Sequence, residues 1–395
     1  MATATRYHGV TKFFHWLTAL LILAIIPLGI IANDAPYETS EQLAQKAWLF
    51  SLHKTLGVAV FFVALLRILW ALTQDKPGPL HPERKVETML AEIVHWALYL
   101  SLVLVPLTGW IDHAASEGFA PIWWPFGQSL PLVPKSTAVS GVFAGLHWMF
   151  GKIMVVALLL HIAGALKHHV IDKDATLRRM WFGRTDVQAG PHAGKAAAPV
   201  LAVLTFAVGA GAAVALGLTE KPEGGVQGAA LTEVASDWVV EEGSIAITIT
   251  QLGSEVTGSF ADWTSQITFD PAPADVMGSV ETVVAIGSLS LGSVTSEAMG
   301  PDYFAAEEFP TATFAAEIKP DGETYVADGT LTMRGVSLPV QLPFTLALDG
   351  DTAVMAGRLT LDRTDYGIGL NQNDEATLGN TVVVTVDLTA VKTGD

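Results

Sequence analysis

The stretch Gly141-Val-Phe-Ala-Gly-Leu-His147-Trp-Met-Phe-Gly-Lys-Ile-Met-Val-Val-Ala-Leu-Leu-Leu-His161-Ile-Ala-Gly-Ala-Leu-Lys167 decides how this chain is read. It is apolar for longer than the roughly 20 residues that a bilayer-spanning helix needs. It also holds two histidines fourteen residues apart. Fourteen residues are nearly four helical turns, so both imidazoles leave the same face, about 21 Å apart along the axis. An ionisable side chain inside a membrane helix is costly and is a functional hypothesis by default.

Four more stretches have the same character: roughly 13–33, 48–73, 89–112 and 197–218. His15, His53 and His95 fall in the first three, and the last carries neither histidine nor charge, which marks it as a tether. The basic residues Arg6, Lys12, Lys76, Arg84, Lys85, Lys167, Lys173, Arg178, Arg179 and Arg184 flank one set of helix ends. The opposite loops hold Asp34, Glu38, Glu41, Lys46, Asp112, Glu117 and Lys135. The positive-inside rule then predicts a multi-pass protein with a cytoplasmic N-terminus, and the fifth span carries everything after residue 220 outside.

Charge is split along the chain. Residues 1–195 hold 16 of the 22 Lys and Arg and 12 of the 39 Asp and Glu; the remainder holds 6 cations against 27 carboxylates. So acidic a module repels phosphate, which argues against a nucleic-acid partner. The sequence has no cysteine, which excludes disulfides, Fe–S clusters, thiolate zinc and covalently attached c-type haem. A metal held here is held by nitrogen or oxygen.

Neutral imidazole is a good axial ligand for haem iron, and two histidines from facing helices can clamp a porphyrin within a four-helix bundle. Depth sorts the five histidines into two layers. His53 pairs with His147 toward the outside, and His161 pairs with His15 or His95 toward the inside, with His15 preferred. The alternative for any one of them is a histidine hydrogen-bonded between helices, and His95 could equally stand beside a quinone or a propionate. Gly57, Gly151 and Gly164 would leave room for a flat macrocycle. Arg67, fourteen residues beyond His53, could pair with an inner propionate or snorkel to the interface. His8, His81, His113, His168, His169 and His192, near helix ends or in loops, read as solvated or interfacial.

After the linker KPEGGVQGAA (221–230) the pattern changes to short alternating runs such as Ser244-Ile-Ala-Ile-Thr-Ile-Thr250, separated by Asp-Pro, Asp-Gly and Gly-Asp. That pattern predicts an antiparallel sandwich or barrel. Phe260, Phe269, Phe304, Phe309, Phe314 and Phe344 would fill its core or line an apolar ligand cavity, and alternation alone favours the core.

Two resemblances add to this. Arg6-Tyr-His-Gly-Val-Thr-Lys-Phe-Phe-His-Trp16, His53-Lys-Thr-Leu-Gly57, Leu65-Leu-Arg-Ile-Leu-Trp70, His95-Trp-Ala-Leu-Tyr99, Pro106-Leu-Thr-Gly-Trp110 and Ala165-Leu-Lys-His-His169 resemble the bacterial cytochrome b561 family over about residues 5–182. That resemblance implies two haem b groups, the inner on a helix 1/helix 4 pair and the outer on a helix 2/helix 4 pair, with ubiquinone or another isoprenoid quinone as redox partner. Trp238-Val-Val-Glu-Glu-Gly, Gly258-Ser-Phe-Ala-Asp-Trp263, Ile267-Thr-Phe-Asp-Pro271, Phe309-Pro-Thr-Ala-Thr-Phe314, Gly329-Thr-Leu-Thr-Met-Arg-Gly335 and Arg363-Thr-Asp-Tyr-Gly-Ile-Gly369 resemble the YceI-like family of lipocalin-like periplasmic barrels. That likeness implies an isoprenoid lipid or quinone tail inside the barrel, and it shifts the phenylalanines toward a cavity wall. Two positions depart from the family pattern: Tyr366 where Phe is common, and Gly243-Ser244 where His-Ser is usual.

The expected architecture is a membrane all-α four-helix di-haem bundle (1–185), a fifth tethering transmembrane helix and linker (186–231), and an all-β antiparallel lipocalin-like barrel (232–395). The expected function is electron transfer in the bacterial inner membrane between a quinone pool and an unknown redox partner. The barrel would be periplasmic. Two other functions compete: a membrane-anchored isoprenoid carrier, and a superoxide:quinone oxidoreductase. The residues leave open whether the chain is an enzyme in its own right; if it is, its class is quinone-linked oxidoreductase.

Overall fold

The computed structural model describes residues 6–393 apart from 76, 117, 184, 186, 188–195, 221–230, 232–235 and 273. The linker at 221–230, Lys76, Glu117, Arg184 and His192 therefore lie outside the described residues. The chain forms two compact units, one chiefly of helices and one chiefly of strands.

Helices α1 (Gly9–Asp34), α2 (Ser40–Leu72), α3 (Lys85–Ala115) and α4 (Thr137–Lys167) are followed by a short α5 (Thr176–Met180) and by α6 (Ala197–Ala215). All but α5 are long and apolar enough to cross a membrane. Local chemistry starts two of them. Ser136 caps α4 by accepting from the Val139 N–H at 3.3 Å. Before α2, Thr39 Oγ1 accepts from Gln42 N while Gln42 Oε1 accepts from the N–H groups of Glu38 and Thr39, a reciprocal box. That box starts α2 eight residues before the apolar run at 48, so Glu41 and Lys46 are helical rather than in a loop. His95 likewise lies deeper in α3 than its apolar stretch suggests, because the helix already begins at Lys85. The last turn of α4 widens into a π-helical segment, His168–Asp172.

Within the bundle, Ile22 and Ile25 of α1 pack with Val60 and Ala64 of α2 and Leu102 of α3. A second cluster joins Ala97 and Val105 of α3, Phe150, Met154 and Ala157 of α4, and Ala202 and Phe206 of α6. Helix α6 is thus a packed member of the helical unit and more than a tether. The Phe206 ring sits 5.1 Å from that of Phe150, and Gly209 lets α6 approach Ile153 so closely that a Cβ would stand 2.7 Å from its Cδ1.

The β unit is one antiparallel sheet of ten strands: β1 (Trp238–Gln251), β2 (Ser254–Phe260), β3 (Trp263–Phe269), β4 (Gly278–Ala285), β5 (Leu289–Ser290), β6 (Thr311–Asp321), β7 (Thr324–Met333), β8 (Val336–Asp349), β9 (Thr352–Asp362) and β10 (Leu378–Lys392). The order is β3-β4-β6-β7-β8-β9-β10-β1-β2-β5. Two-residue turns at Leu252-Gly253 and Arg334-Gly335 have positive φ at both positions, the twist that tight hairpins require. The sheet curls until the start of β1 meets the far strand β3: Trp238 Nε1 donates to Phe269 O at 3.2 Å, and Asp237 N to Ile267 O at 3.1 Å. Gly243 lies against the Trp263 ring, where a Cβ would be 2.9 Å from Cζ2, so this closure has no space for the side chain that usually precedes Ser244.

Candidate functional site

The five intramembrane histidines fall into two layers. At the far layer, the rings of His53 (α2) and His147 (α4) are 6.5 Å apart, centre to centre, with planes at 87°. At the layer where α1 begins, here called inner, His15 (α1) and His161 (α4) are 6.0 Å apart at 60°. His95 (α3) also reaches His161, at 5.0 Å.

Neighbouring helices hold the far pair in the same way. His53 Nδ1 lies 3.0 Å from the Ile25 carbonyl of α1, and His147 Nδ1 lies 2.8 Å from the Val105 carbonyl of α3. A carbonyl can only accept, so each Nδ1 carries the proton and each Nε2 presents its lone pair. Four residues beyond each carbonyl stands a glycine. A Cβ at Gly29 would be 2.7 Å from His53 Cε1, and one at Gly109 would be 2.8 Å from His147 Nδ1. Each imidazole therefore rests on bare backbone one turn past the carbonyl that orients it.

These separations suit a metal between two imidazoles. Bonds of about 2.0 Å to each nitrogen, with the ring centre about 1.1 Å further, place the centres roughly 6.2 Å apart. The His53/His147 and His15/His161 pairs match that spacing. The His95/His161 pair is too close, and His95 turns its Nδ1 to the Ala91 carbonyl of its own helix at 2.6 Å. Cβ atoms at Gly151 and Gly164 would meet nothing within 4 Å, and one at Gly57 only Ile25 Cδ1 at 3.9 Å, which leaves open space for a flat macrocycle. The donor set and its surroundings fit bis-histidine haem.

Arg67 lies 5.1 Å above the Tyr99 ring. Trp16, beside His15 at 5.4 Å, donates its indole N–H to the Met180 carbonyl and stacks edge-on with Trp181. Lys12 Nζ donates to the Trp181 and Gly183 carbonyls, both at 2.8 Å. Segment 176–183 is thereby fastened across the inner end of α1.

His81 and His168 are more than solvated. They stack nearly parallel at 6.4 Å within a network of charges. His168 Nδ1 reaches Asp174 at 2.7 Å, Lys167 Nζ reaches Glu87 at 2.6 Å and Asp172 at 2.9 Å, and Arg84 reaches Asp172 at 3.0 Å. Glu87, His168 and Asp172 come within 4.8 Å of one another, but Lys167 and Arg84 already supply the balancing charge. Burial pushes the Asp174 carboxyl up, yet hydrogen bonds from Thr176 and His168 outweigh it and hold the group down at about 2.

Inside the barrel are two apolar chambers of about 210 and 170 Å³. Ile245, Val284, Leu331, Leu361 and Val384 line both, so the chambers adjoin. Phe260 and Phe304 line the first; Phe269, Phe314 and Phe344 line the second. Phe309 lines neither and instead packs under Gly335 of the β7–β8 turn. Tyr366 lines the first chamber at 2% exposure, and its hydroxyl has no partner among the described residues. Sequence reasoning missed Gly29 and Gly109, although each follows a helix-interior proline, in Pro27-Leu-Gly29 and Pro106-Leu-Thr-Gly109. It also left Arg179 among the flanking cations.

Comparison with known proteins agrees with both halves. Residues 6–183 match prokaryotic cytochrome b561, and residues 238–390 match the YceI-like domain. Cytochrome b561 homolog 2 of Escherichia coli is 31% identical over 185 residues, covering 45% of this chain and 92% of the relative. A Yersinia pestis protein described as a probable superoxide oxidase is 26% identical over 176 residues, covering 44% and 95%. For the β unit, UPF0312 protein plu2095 of Photorhabdus laumondii is 36% identical over 111 residues, and the match covers 57% of its length. The crystal structure of BcnA from Burkholderia cenocepacia is 28% identical, with 38% of this chain and 96% of that one covered at a TM-score of 0.36. With five apolar helices ahead of a ten-stranded sheet, the chain belongs to the prokaryotic cytochrome b561 family and carries a YceI-like domain behind its membrane helices.

Proposed function

We propose that the chain is a di-haem b-type cytochrome of the bacterial inner membrane, carrying electrons between an isoprenoid quinone pool and a redox partner. Its N-terminus is cytoplasmic, and its periplasmic barrel holds an isoprenoid lipid or quinone tail. The observation that carries the reading is the pair of imidazole separations, 6.0 and 6.5 Å, at two depths on one face of α4. Haem b, when bound, supplies one-electron chemistry.

His53 and His147 form the ligand pair at the far layer, His15 and His161 at the inner one. The Ile25 and Val105 carbonyls fix the tautomer of the far pair, so that Nε2 is the ligating atom on both sides. Gly29 and Gly109 set how deep those rings sit. His95, tied to its own helix, remains a polar side chain beside the inner pair. In the barrel, the two adjoining chambers lined by Phe260, Phe304, Phe269, Phe314 and Phe344 exclude water from a branched apolar chain. Carrying both modules on one chain raises the concentration of each for the other.

The test is haem content in purified full-length protein, with a reduced-minus-oxidised spectrum and reduction by ubiquinol in nanodiscs. His147→Ala and His161→Ala are each expected to leave one haem per chain, and the double variant none. Two haems in either single variant would reject the ligand assignment. A colourless wild type that carries isoprenoid lipid would instead favour the anchored-carrier reading. The name of the Yersinia relative motivates a second reading, oxidation of superoxide with quinone as acceptor. Superoxide-dependent reduction of the b-type spectrum, abolished by superoxide dismutase, would support it.

A further inference from the structure

Arg179 lies in the last turn of α5 and is 5% exposed. Its Nη1 donates to the Gly78 carbonyl at 3.1 Å, and its Cζ lies 5.3 Å from the centre of the Tyr7 ring. Its Nε and Nη2, which form one edge of the guanidinium, have no hydrogen-bond partner among the described residues. A guanidinium stays charged, and leaving a buried charge unpaired costs several kcal/mol. Tyr7 is no counter-ion: burial pushes its phenol up, so it is neutral at physiological pH. The Nε–Nη2 edge is the planar fork that takes a carboxylate or phosphate through two parallel hydrogen bonds.

The segment that carries the fork is tied to the helix of His15. The residue after Arg179, Met180, accepts from Trp16, whose ring adjoins His15. Tyr99 of α3 lies under the Arg67 guanidinium at 5.1 Å. Trp16 thus links the segment of Arg179 to His15, and a haem b carries two propionates.

We propose that the Nε–Nη2 edge of Arg179 binds a propionate of the porphyrin held by His15 and His161. The inference rests on the haem assignment made under the proposed function, and the experiments separate the two. Redox titration of full-length protein in nanodiscs reads the first consequence. Arg179→Gln is expected to keep two haems and lower one midpoint by a tenfold change in its redox equilibrium, about 59 mV for one electron. The sign follows from charge: an unbalanced propionate favours the ferric form. Arg179→Lys, which keeps the cation but loses the fork, is expected to recover most of that shift. Two unchanged midpoints, or two equal shifts, would overturn the proposal.

Reconstitution of the haem-free wild type gives a second reading that needs no variant. Protohaem is expected to load two sites, whereas its dimethyl ester, which lacks both carboxylates, should load the inner site at least tenfold more weakly than the far one. Equal loading of the ester at both sites rejects the propionate, and failure of protohaem to load rejects the haem assignment itself. If the anion is a lipid headgroup, moving the wild type from phosphatidylglycerol to phosphatidylcholine nanodiscs will reproduce the Arg179→Gln shift, and that result too would overturn the proposal.

Discussion

An alanine at position 109 places a Cβ 2.8 Å from Nδ1 of His147, whereas ordinary van der Waals contact begins at 3.4 Å. The ring must retreat by about 0.6 Å, the difference between those distances, and α3 offers little give because the added carbon sits on helix backbone. Retreat also strains the 2.8 Å hydrogen bond from His147 Nδ1 to the Val105 carbonyl, which holds the ring in plane and sets its tautomer. Overpacking of this size costs about 1–3 kcal/mol, or a factor of roughly 5 to 150 in affinity for whatever the two imidazoles hold between them. Gly29→Ala makes the same intrusion against His53 from the other side, at 2.7 Å. Both variants are expected to weaken haem retention at the far layer and leave the inner one alone. Haem transfer to apomyoglobin, followed at the Soret band, measures this as a faster phase with half the total amplitude. Gly211→Ala, where a Cβ meets nothing within 4 Å, is the control and should behave as wild type. Wild-type release rates in both Gly29→Ala and Gly109→Ala would refute the idea that these glycines seat the ligands.

Three further outcomes follow from the geometry. Tyr366→Phe removes a buried hydroxyl that has no partner among the described residues, so it should leave the barrel as stable or raise its stability by about 1 kcal/mol. A clear loss in chemical denaturation would show that the hydroxyl has a partner. Arg363, 4% exposed, donates to the carbonyls of Ile368, Gly369, Gln372, Leu378 and Gly379 and to Asn380 Oδ1, at 2.6–3.1 Å. Arg363→Met strands those acceptors and should cost about 3 kcal/mol or more, with exchange protection falling first across residues 366–380. Asp174, held at about 2 against an ordinary 3.8, contributes stability that is complete above the ordinary value and fades as pH falls toward 2. Thermal melts of wild type and Asp174→Asn should therefore differ most near neutrality and converge in acid; a gap that does not change with pH would count against this.

How far the sequence could be read depends on whether a property runs along the chain or across it. Helical period alone places His147 and His161 on one face of α4 at two depths, and strand alternation alone turns Ile245, Ile247 and Ile249 toward the barrel interior with Val382, Val384 and Val386. The same alternation put Phe260, Phe269, Phe314 and Phe344 on inward-facing positions, but Phe304 and Phe309 both precede β6 and escape the rule, and only Phe304 reaches a chamber wall.

Depth paired histidines across helices, but the distances between elements were out of reach. His15 and His95 enter the bundle from the same end, and spacing cannot rank them. Only the packing of α1 and α3 against α4 makes one separation 6.0 Å and the other 5.0 Å. Gly29 and Gly109 matter because a ring from another helix lies on them, and the prolines just before them mark an irregular helix without saying which ring arrives. Arg179 reads as one more cation at a membrane edge until α5 folds over Tyr7 and buries it. Periodicity encodes which way a side chain points, because backbone geometry repeats with every residue. The distance to a partner on another helix is set by how whole surfaces interlock, and that is decided only when the tertiary structure forms.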